Sequence, residues 1–191
     1  TSIVRPFEFS VTQAYMLEVG CEYLRFYKNN AQIQVEGDLI SNGTFNTDLS
    51  GWTASTVGSG TMTWSSLYGG VARFFVAGDS DSAQLRQNVT VVAGRAQVLT
   101  FLVRDRVVAG TGLAGLTVGS TAGGSDLLNV PITDGSFSYT VTSTTTTLSL
   151  TFRVSGNGAF FLLDDVTVTS GGPHELAIPY DHAEVTGIDT V

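Results

Sequence analysis

The sequence predicts an all-β protein whose main part is a two-sheet sandwich. Short segments alternate apolar and polar residues with a period of two, which is typical of strands that are buried on one face. Turns containing Gly separate these segments at intervals of about 8–12 residues, which favours a sandwich over a parallel α/β sheet. No stretch of the 191 residues shows the period of an amphipathic helix, and 22 glycines suit the many turns.

A small β unit is predicted at the beginning of the chain. Phe7, Phe9 and Val11 alternate with polar residues, which indicates a first strand. Three further candidate strands follow, at residues 14–19, 22–27 and 31–35. A meander of this size is not stable without more strands to pack on.

The central residues, 37–170, are predicted to form the sandwich. Strands are predicted near residues 38–41, 52–56, 60–66, 71–77, 82–92, 96–104, 113–119, 126–130, 136–142, 146–154 and 159–169. Four apolar stripes are expected to face the core, namely Ala83/Leu85/Val89/Val91, Leu99/Phe101/Val103, Phe137/Tyr139/Val141 and Leu148/Leu150/Phe152/Val154. We assign Trp52 to the same core.

Charge and composition exclude several kinds of partner. The net charge is −8 and no cluster of Lys or Arg interrupts the acidity, so we expect neither nucleic acid nor an anionic membrane surface as a partner. No apolar run approaches the roughly 20 residues that span a bilayer, and we find no signal-peptide pattern. Cys21 is the single cysteine, which excludes an internal disulfide and suggests a small buried side chain.

Asp164 is a candidate metal ligand. It has the same parity in the sequence as Phe160, Leu162 and Val166, which predicts that its carboxylate lies on the buried face. Such burial is costly unless the carboxylate is paired or bound to a metal. Residues 42–46 would add amide and carbonyl oxygens, the ligands that calcium prefers. The alternative is that Asp164 lies at a strand end and accepts backbone N–H groups.

Five segments within residues 38–169 together resemble the jelly-roll carbohydrate-binding modules often appended to bacterial glycoside hydrolases. The segments are Leu39-Ile40-Ser41-Asn42-Gly43-Thr44-Phe45, Gly51-Trp52, Leu85-Arg86-Gln87-Asn88-Val89 before Ala93-Gly94, Leu99-Thr100-Phe101, and Phe161-Leu162-Leu163-Asp164-Asp165-Val166. The resemblance implies a galactose-binding-like jelly-roll sandwich, and glycan binding on its concave sheet or at its loops. It also implies a structural Ca²⁺ held by Asn42, Asn46 and Asp164, although a Glu often occupies the place of Asn46 in the family.

The two flanks resemble the start of large tail or virion-associated proteins of bacteriophages and prophages. The segments are Arg5-Pro6-Phe7-Glu8-Phe9-Ser10-Val11-Thr12-Gln13-Ala14-Tyr15-Met16-Leu17-Glu18, Tyr23-Leu24-Arg25-Phe26-Tyr27-Lys28 and Glu175-Leu176-Ala177-Ile178-Pro179-Tyr180. In such proteins the flanks follow each other closely, so we expect the sandwich to be an insertion into a β unit formed by residues 1–36 and 171–191. Residues 31–35 and 174–179 should then be neighbours. The resemblance implies other virion proteins as partners, and a location in the virion, or in the bacterial cytoplasm when the protein is expressed from a prophage.

A glycan-binding surface needs exposed aromatic rings and planar polar groups, because sugar rings stack on aromatic faces and hydroxyls pair with bidentate groups. The candidates are Trp64, Tyr68, Arg86, Asn88 and Arg104. The two arginines and Asn88 have the parity opposite to that of the neighbouring apolar residues, so they should face away from the core. The alternatives are that Trp64 belongs to the core with Met62, and that the arginines only solvate a sheet face.

We expect no enzymatic activity, because no catalytic motif is recognisable. The carboxylate pairs Asp79/Asp81 and Asp164/Asp165 come without a glycosidase motif. The sequence has no nucleophile elbow and no phosphate loop. Three functions stay open: adhesion of a virion protein to host-surface glycans, a purely architectural or protein–protein contact module, and an ancillary binding module of a larger glycan-active enzyme.

Overall fold

The computed structural model describes residues 3–10, 13–28, 31–32, 37–108, 112–170 and 175–177. Two compact units are formed, one by Thr1–Glu36 with Gly171–Val191 and one by Gly37–Ser170. The strands are β1 (Ile3–Ser10), β2 (Gln13–Gly20), β3 (Tyr23–Lys28), β4 (Ala31–Gln32), β5 (Thr53–Val57), β6 (Thr61–Ser65), β7 (Val71–Phe75), β8 (Ser82–Thr90), β9 (Ala96–Val107), β10 (Leu113–Gly119), β11 (Leu128–Pro131), β12 (Gly135–Thr142), β13 (Thr147–Ser155), β14 (Phe160–Ser170) and β15 (Glu175–Ala177).

The first unit is an antiparallel sheet with strands from both ends of the chain. Its order is β1-β2-β3-β15, and β4 also pairs with β3. Leu176 of β15 is opposite Leu24, and Gln32 of β4 is opposite Tyr27, so both short strands pair with β3. The other residues of the stretches that we expected to be neighbours, 33–35, 174 and 178–179, lie outside the described residues.

Cys21 lies in the turn between β2 and β3 and is exposed. The prediction that it is a small buried side chain is therefore wrong. The apolar preference of cysteine does not decide its burial here, because a residue in a tight turn has no second layer of structure packed over it.

The second unit is the predicted all-β jelly-roll sandwich, which is confirmed. One sheet has the order β11-β10-β13-β8-β5, and the other has the order β12-β9-β14-β7-β6. We name them the β13 sheet and the β14 sheet after their central strands. Apart from the short 3-10 turn Leu67–Gly69, the described residues contain no helix. None of the described segments forms a helix long and apolar enough to span a membrane.

The core lies between the two sheets and contains the predicted apolar stripes, except that Phe137 and Tyr139 of the third stripe are only partly buried and pack against it. Trp52 is buried as predicted, with its ring centroid 5.5 Å from that of Phe45 and 6.2 Å from that of Phe152. Gln87 is buried in the stripe of Leu85. Its amide accepts the N–H of Ser41 and donates to the carbonyls of Ser41 and Gly51, at 2.8–3.0 Å. The oxygen and the NH2 group of the buried Gln87 amide are thus all hydrogen-bonded, and they hold the loop of residues 41–51 in place.

The beginning and the end of the sandwich lie side by side. The predicted first strand, 38–41, is reduced to a single bridge between Asp38 and Thr169. The Asp38 carboxylate accepts the N–H groups of Ile40 and Val168, at 3.0 and 2.9 Å. Gly43 then approaches Val166 so closely that a Cβ on Gly43 would lie 1.9 Å from the Val166 carbonyl oxygen, which is why glycine is needed there.

Candidate functional site

Strand β14 changes the face to which its side chains point halfway along its length. Before the change Asp164 is opposite Leu102, and after it Thr167 is opposite Thr100. The register shift between them is a β-bulge, at which Asp165 has a φ of 49°. Because a bulge adds one residue to one strand, it reverses the set of residues that faces the core.

The bulge makes the predicted orientation of Asp164 wrong. Asp164 points to the outer face together with Phe160 and Leu162, whereas Val166 and Val168 beyond the bulge join the core. Parity in the sequence assumes an uninterrupted strand, and the extra residue breaks it. The predicted burial of Asp164 is nevertheless confirmed, because it is only 6% exposed, so other parts of the outer face cover it.

The outer face of the β14 sheet carries two arginines on either side of a buried leucine. Leu162 is opposite Arg73 of β7 and opposite Arg104 of β9, and residues paired in this way point to the same face. Since adjacent strands are about 4.8 Å apart, the two arginine Cα atoms lie about 10 Å apart. Leu162 is fully buried although it lies outside the core between the sheets, so neighbouring side chains shield it. We call this surface the arginine face.

Aromatic rings accompany both guanidinium groups. Arg73 Cζ lies 5.3 Å from the ring centroid of Phe160 and 5.7 Å from that of Phe75. Arg104 Cζ lies 4.9 Å from the ring centroid of Tyr68. These are cation–π distances. Tyr68 is 59% exposed, so the predicted residues Tyr68 and Arg104 do come together, and Tyr68 presents an open ring surface.

The guanidinium groups keep hydrogen-bonding capacity for a ligand. Among the residues that the structure describes, no carboxylate lies within ion-pair distance of Arg73 or Arg104. The Nε of Arg104 is buried and has no hydrogen-bond partner among the described residues, so a ligand can reach only the rest of this guanidinium group. Burial raises the pKa of the nearby Asp164 carboxyl, against the lowering effects of the Asp165 N–H and of the Arg104 charge. Planar donors of this kind pair with the adjacent hydroxyls or carboxylates of a ligand.

Tyr68 is held by Asp105, the residue that follows Arg104. The phenol donates a hydrogen bond of 3.0 Å to Asp105 Oδ2. This bond and the negative charge of Asp105 raise the pKa of Tyr68 above its ordinary value.

A shallow depression continues the arginine face towards β12. Its volume is about 140 Å³, and its lining is Thr100, Phe101, Leu102, Ser136, Phe137 and Asp165. The hydroxyls of Thr100 and Thr167 are hydrogen-bonded to each other beside it, at 2.7 Å. The surface available to an extended ligand thus runs across the strands, from aromatic rings and arginines to hydroxyls and a carboxylate.

Trp64 lies apart from this surface. Trp64 is paired with the core residue Ala72 of β7, so its side chain leaves the backbone on the core side of the sheet. Because β6 is the edge strand of this sheet, the ring lies at the sheet edge. It is 38% exposed, and its indole N–H donates to the carbonyl of Phe45, at 2.6 Å. This geometry favours a structural role, in which Trp64 fixes the loop that contains Phe45.

Arg86 and Asn88 lie on the outer face of the β13 sheet, opposite Thr151 and Ser149. They face away from the core as predicted, but on the opposite side of the sandwich from Arg104. A Cβ on Gly123 would lie 3.1 Å from a terminal nitrogen of Arg86, so the loop after β10 covers this arginine. Asn88 is exposed among small polar residues. The five predicted sugar-binding residues are therefore divided over three places.

The predicted calcium ligands fit a metal site only in part. The Asn42 amide donates to the carbonyls of Asp48 and Ser50 and to Asp48 Oδ1, at 3.0–3.1 Å, so Asn42 closes its own loop. Asn46 is exposed, and Asp164 supplies a buried carboxylate that accepts the Asp165 N–H, at 2.8 Å. No group of three acidic, His or Cys side chains comes together within the described residues. The calcium site stays a prediction that depends on Asp164 and Asn46.

Three residues of the arginine face were not among the sequence candidates. They are Arg73, Phe75 and Phe160. Arg73 lies between the core residues Ala72 and Phe74, so alternation in β7 could have placed it on the outside. Alternation could not have identified Phe160, because residues of the same parity before and after the bulge in β14 lie on opposite faces of the sheet.

Solved structures with the same fold are mainly carbohydrate-binding modules. The CBM22-1 xylan-binding domain from Paenibacillus barcinonensis Xyn10C matches with a TM-score of 0.53 and 16% identity, over 74% of this chain and 99% of that domain. TmCBM61, solved in complex with β-1,4-galactotriose, matches with a TM-score of 0.52 and 18% identity, over 70% of this chain and 99% of that module. At these identities the likeness concerns the fold alone.

A bacteriophage protein also has this fold. The enzymatically active domain of bacteriophage CBA120 tailspike protein 4 matches with a TM-score of 0.51 and 19% identity, over 69% of this chain. The match spans 21% of the tailspike chain. No protein-family model matches the chain, and no curated protein sequence matches it.

Proposed function

We propose that the sandwich is a non-catalytic carbohydrate-binding module, and that the arginine face is its glycan-binding surface. The observation that carries the proposal is the row Arg73–Leu162–Arg104. Its two guanidinium groups have no carboxylate within ion-pair distance in the described part of the chain, and they stand on a buried leucine beside aromatic rings. Guanidinium groups donate to pairs of sugar hydroxyls, and aromatic rings stack on the C–H faces of sugars. The fold shared with xylan- and galactotriose-binding modules supports this assignment.

The wider role that we propose is adhesion of a phage tail or virion-associated protein to host-surface glycans. The motifs in both flanks support it, and so does the occurrence of the fold in a phage tailspike. The virion is then the location of the protein, and other virion proteins are its partners. An ancillary role in a larger glycan-active enzyme uses the same face and differs only in what the rest of the chain does.

A purely architectural module is the second candidate function. Val98 and Leu102 support it, because they occupy the same outer face and are half-buried. An apolar strip of this kind also suits contact with another protein. In that case the arginines solvate the edge of a protein contact, and no saccharide competes for it.

A glycan array followed by affinity measurements on matched variants tests the proposed function. We expect the unaltered protein to bind at least one bacterial or plant polysaccharide on the array. The double variant R73A/R104A should bind the strongest hit at least about tenfold more weakly, because two charge-assisted contacts are lost. The control on the opposite outer face is R153Q/N88A, which removes one guanidinium group and one amide there and should bind like the unaltered protein.

Two results would count against the proposal. A blank array would remove the glycan-binding function and favour the architectural module. Equal loss of binding in R153Q/N88A and R73A/R104A would move the binding surface away from the arginine face.

A further inference from the structure

Two strained residues meet at the edge of the arginine face. Tyr68 has a φ of 54° and Asp105 has a φ of 52°, in the left-handed region that is unfavourable for residues with a Cβ. Their side chains are joined by the hydrogen bond from the Tyr68 phenol to Asp105 Oδ2. Backbone strain of this kind persists only where the surrounding structure imposes it, and it concentrates at ligand-binding sites.

Each strained residue lies at an irregularity of the backbone, and this irregularity determines where its side chain is placed. Tyr68 is the middle residue of the turn Leu67–Gly69, and Gly69 and Gly70 continue the turn with φ of 98° and 138°. Asp105 lies where the register of β9 with β14 shifts, between the pairs Arg104–Leu162 and Val107–Phe160. A regular turn and a regular strand would avoid the strain, but they would not bring these two side chains together.

The neighbours of this pair supply what a single sugar ring requires. More than half of Tyr68 is exposed, and the Arg104 guanidinium contacts the ring from the sheet. Asp105 is exposed and has a second carboxylate oxygen that can accept from a hydroxyl. The arginine can donate to the same sugar. Apolar ring surface, acceptor and donor are thus within the reach of one pyranose.

We propose that Tyr68 is the stacking platform for one pyranose of the bound glycan and that Asp105 is the residue that positions it. This inference depends on the proposed function, because it specifies a subsite of the same face. The strain is the cost of holding the ring in its binding orientation before the ligand arrives, so that little ordering is lost on binding.

Loss of the Tyr68–Asp105 pair should lower the affinity for the glycan without lowering the stability of the fold, and two variants test this. Y68F keeps the ring and removes the hydrogen bond to Asp105. Its affinity for the strongest array hit should fall about three- to tenfold, the effect of one lost hydrogen bond. D105G removes the carboxylate and relieves the backbone strain that the positive φ of Asp105 causes. It should lose at least as much affinity as Y68F while its melting temperature stays equal or rises, because glycine adopts this conformation without strain.

Two further variants exclude a merely structural explanation. The double variant Y68F/D105G should bind no more weakly than D105G alone, because D105G already removes the hydrogen bond that Y68F removes. Glu22 also has a positive φ, of 62°, but it lies in the other unit. E22G should therefore leave the affinity unchanged.

The outcomes distinguish this inference from the proposed function. If R73A/R104A loses binding while Y68F and D105G bind like the unaltered protein, the subsite is refuted and the glycan-binding face remains. If D105G loses affinity only together with a fall in melting temperature, Asp105 is structural and its positioning role is refuted. A blank array for the unaltered protein refutes both proposals.

Discussion

The two outer faces of the sandwich are built by the same alternation but have different surfaces. On the arginine face, long side chains stand over a buried leucine, and the exposed ring of Tyr68 lies at its edge. The outer face of the β13 sheet carries mainly Ser, Thr, Asn and Gln, and we call it the hydroxyl face. Its residues include Ser82, Gln84, Arg86, Asn88, Thr90, Ser149, Thr151, Arg153 and Ser155.

The faces differ in backbone regularity as well as in side chains. The strand pairs of the hydroxyl face keep their register throughout, whereas the pair of β14 and β9 has two register shifts. Of the six described non-glycine residues with positive φ, Tyr68, Asp105 and Asp165 lie on or beside the arginine face, and none lies on the hydroxyl face. Irregular backbone thus coincides with the surface that carries large side chains, as expected where bulges redirect side chains towards a ligand.

Truncation of the buried leucine should give the largest difference between the two faces. L162A should lower the free energy of unfolding by about 2–4 kcal/mol, because it removes a fully buried side chain and leaves a cavity. The matched control is L113A on the hydroxyl face, where Leu113 is 61% exposed, with an expected change below about 0.5 kcal/mol. Urea unfolding measures both, and equal changes would show that nothing shields Leu162.

The predicted calcium site should give the next largest effect. At a calcium concentration of about 100 times its Kd, a structural ion adds about 2.7 kcal/mol to the free energy of unfolding. Thermal unfolding with calcium and with chelator measures this increment. D164N should abolish it and D126N, whose carboxylate lies beside the hydroxyl face, should keep it. An unchanged melting curve on chelation would remove the calcium prediction.

The regular part of the fold was predictable from the sequence because it depends on alternation alone. Stripes such as Leu148/Leu150/Phe152 are uninterrupted in the structure and lie in the core, and the glycine turns separate the strands as expected. The strand predicted at 38–41 is reduced to a bridge between Asp38 and Thr169. In place of further strand pairing, the Asp38 carboxylate accepts the backbone N–H groups of Ile40 and Val168.

The candidate site was predictable only where no bulge intervenes. Alternation placed Arg104 on an outer face, and it would also have placed Arg73 there. It failed for Asp164, since alternation cannot register the extra residue at Asp165, although Asp is one of the residues enriched at positive φ. Alternation also does not show to which of the two sheets an outward-facing residue belongs. Arg86 and Arg104 were therefore predicted to form one binding surface, although they lie on opposite faces of the sandwich. That information is set by strand order, which is a non-local property.

A smaller effect is expected from an unsatisfied hydroxyl on the hydroxyl face. Thr151 is 6% exposed, and its Oγ1 is buried with no hydrogen-bond partner in the part of the chain that the structure describes. T151V has nearly the same shape and removes this hydroxyl, so it should raise the free energy of unfolding by about 1 kcal/mol. T53V, at an exposed position on the same face, should change it by less than about 0.5 kcal/mol. A loss of stability in T151V would mean that Thr151 has a partner such as bound water.

The smallest expected effect concerns the loop that covers Arg86. The Ser120 hydroxyl and N–H donate to the Asp126 carboxylate, at 2.6 and 3.0 Å, and they hold its pKa below the ordinary value. A lowered folded pKa means that this stabilisation is complete above the ordinary Asp pKa and is lost as the pH falls through the lowered value. Melting of D126N should therefore lie slightly below that of the unaltered protein at pH 7, and the difference should vanish in acid. D79N makes the same charge change at an exposed residue and controls for net charge. A difference that persists or grows in acid would show that the Asp126 carboxylate does not hold the loop through its charged form.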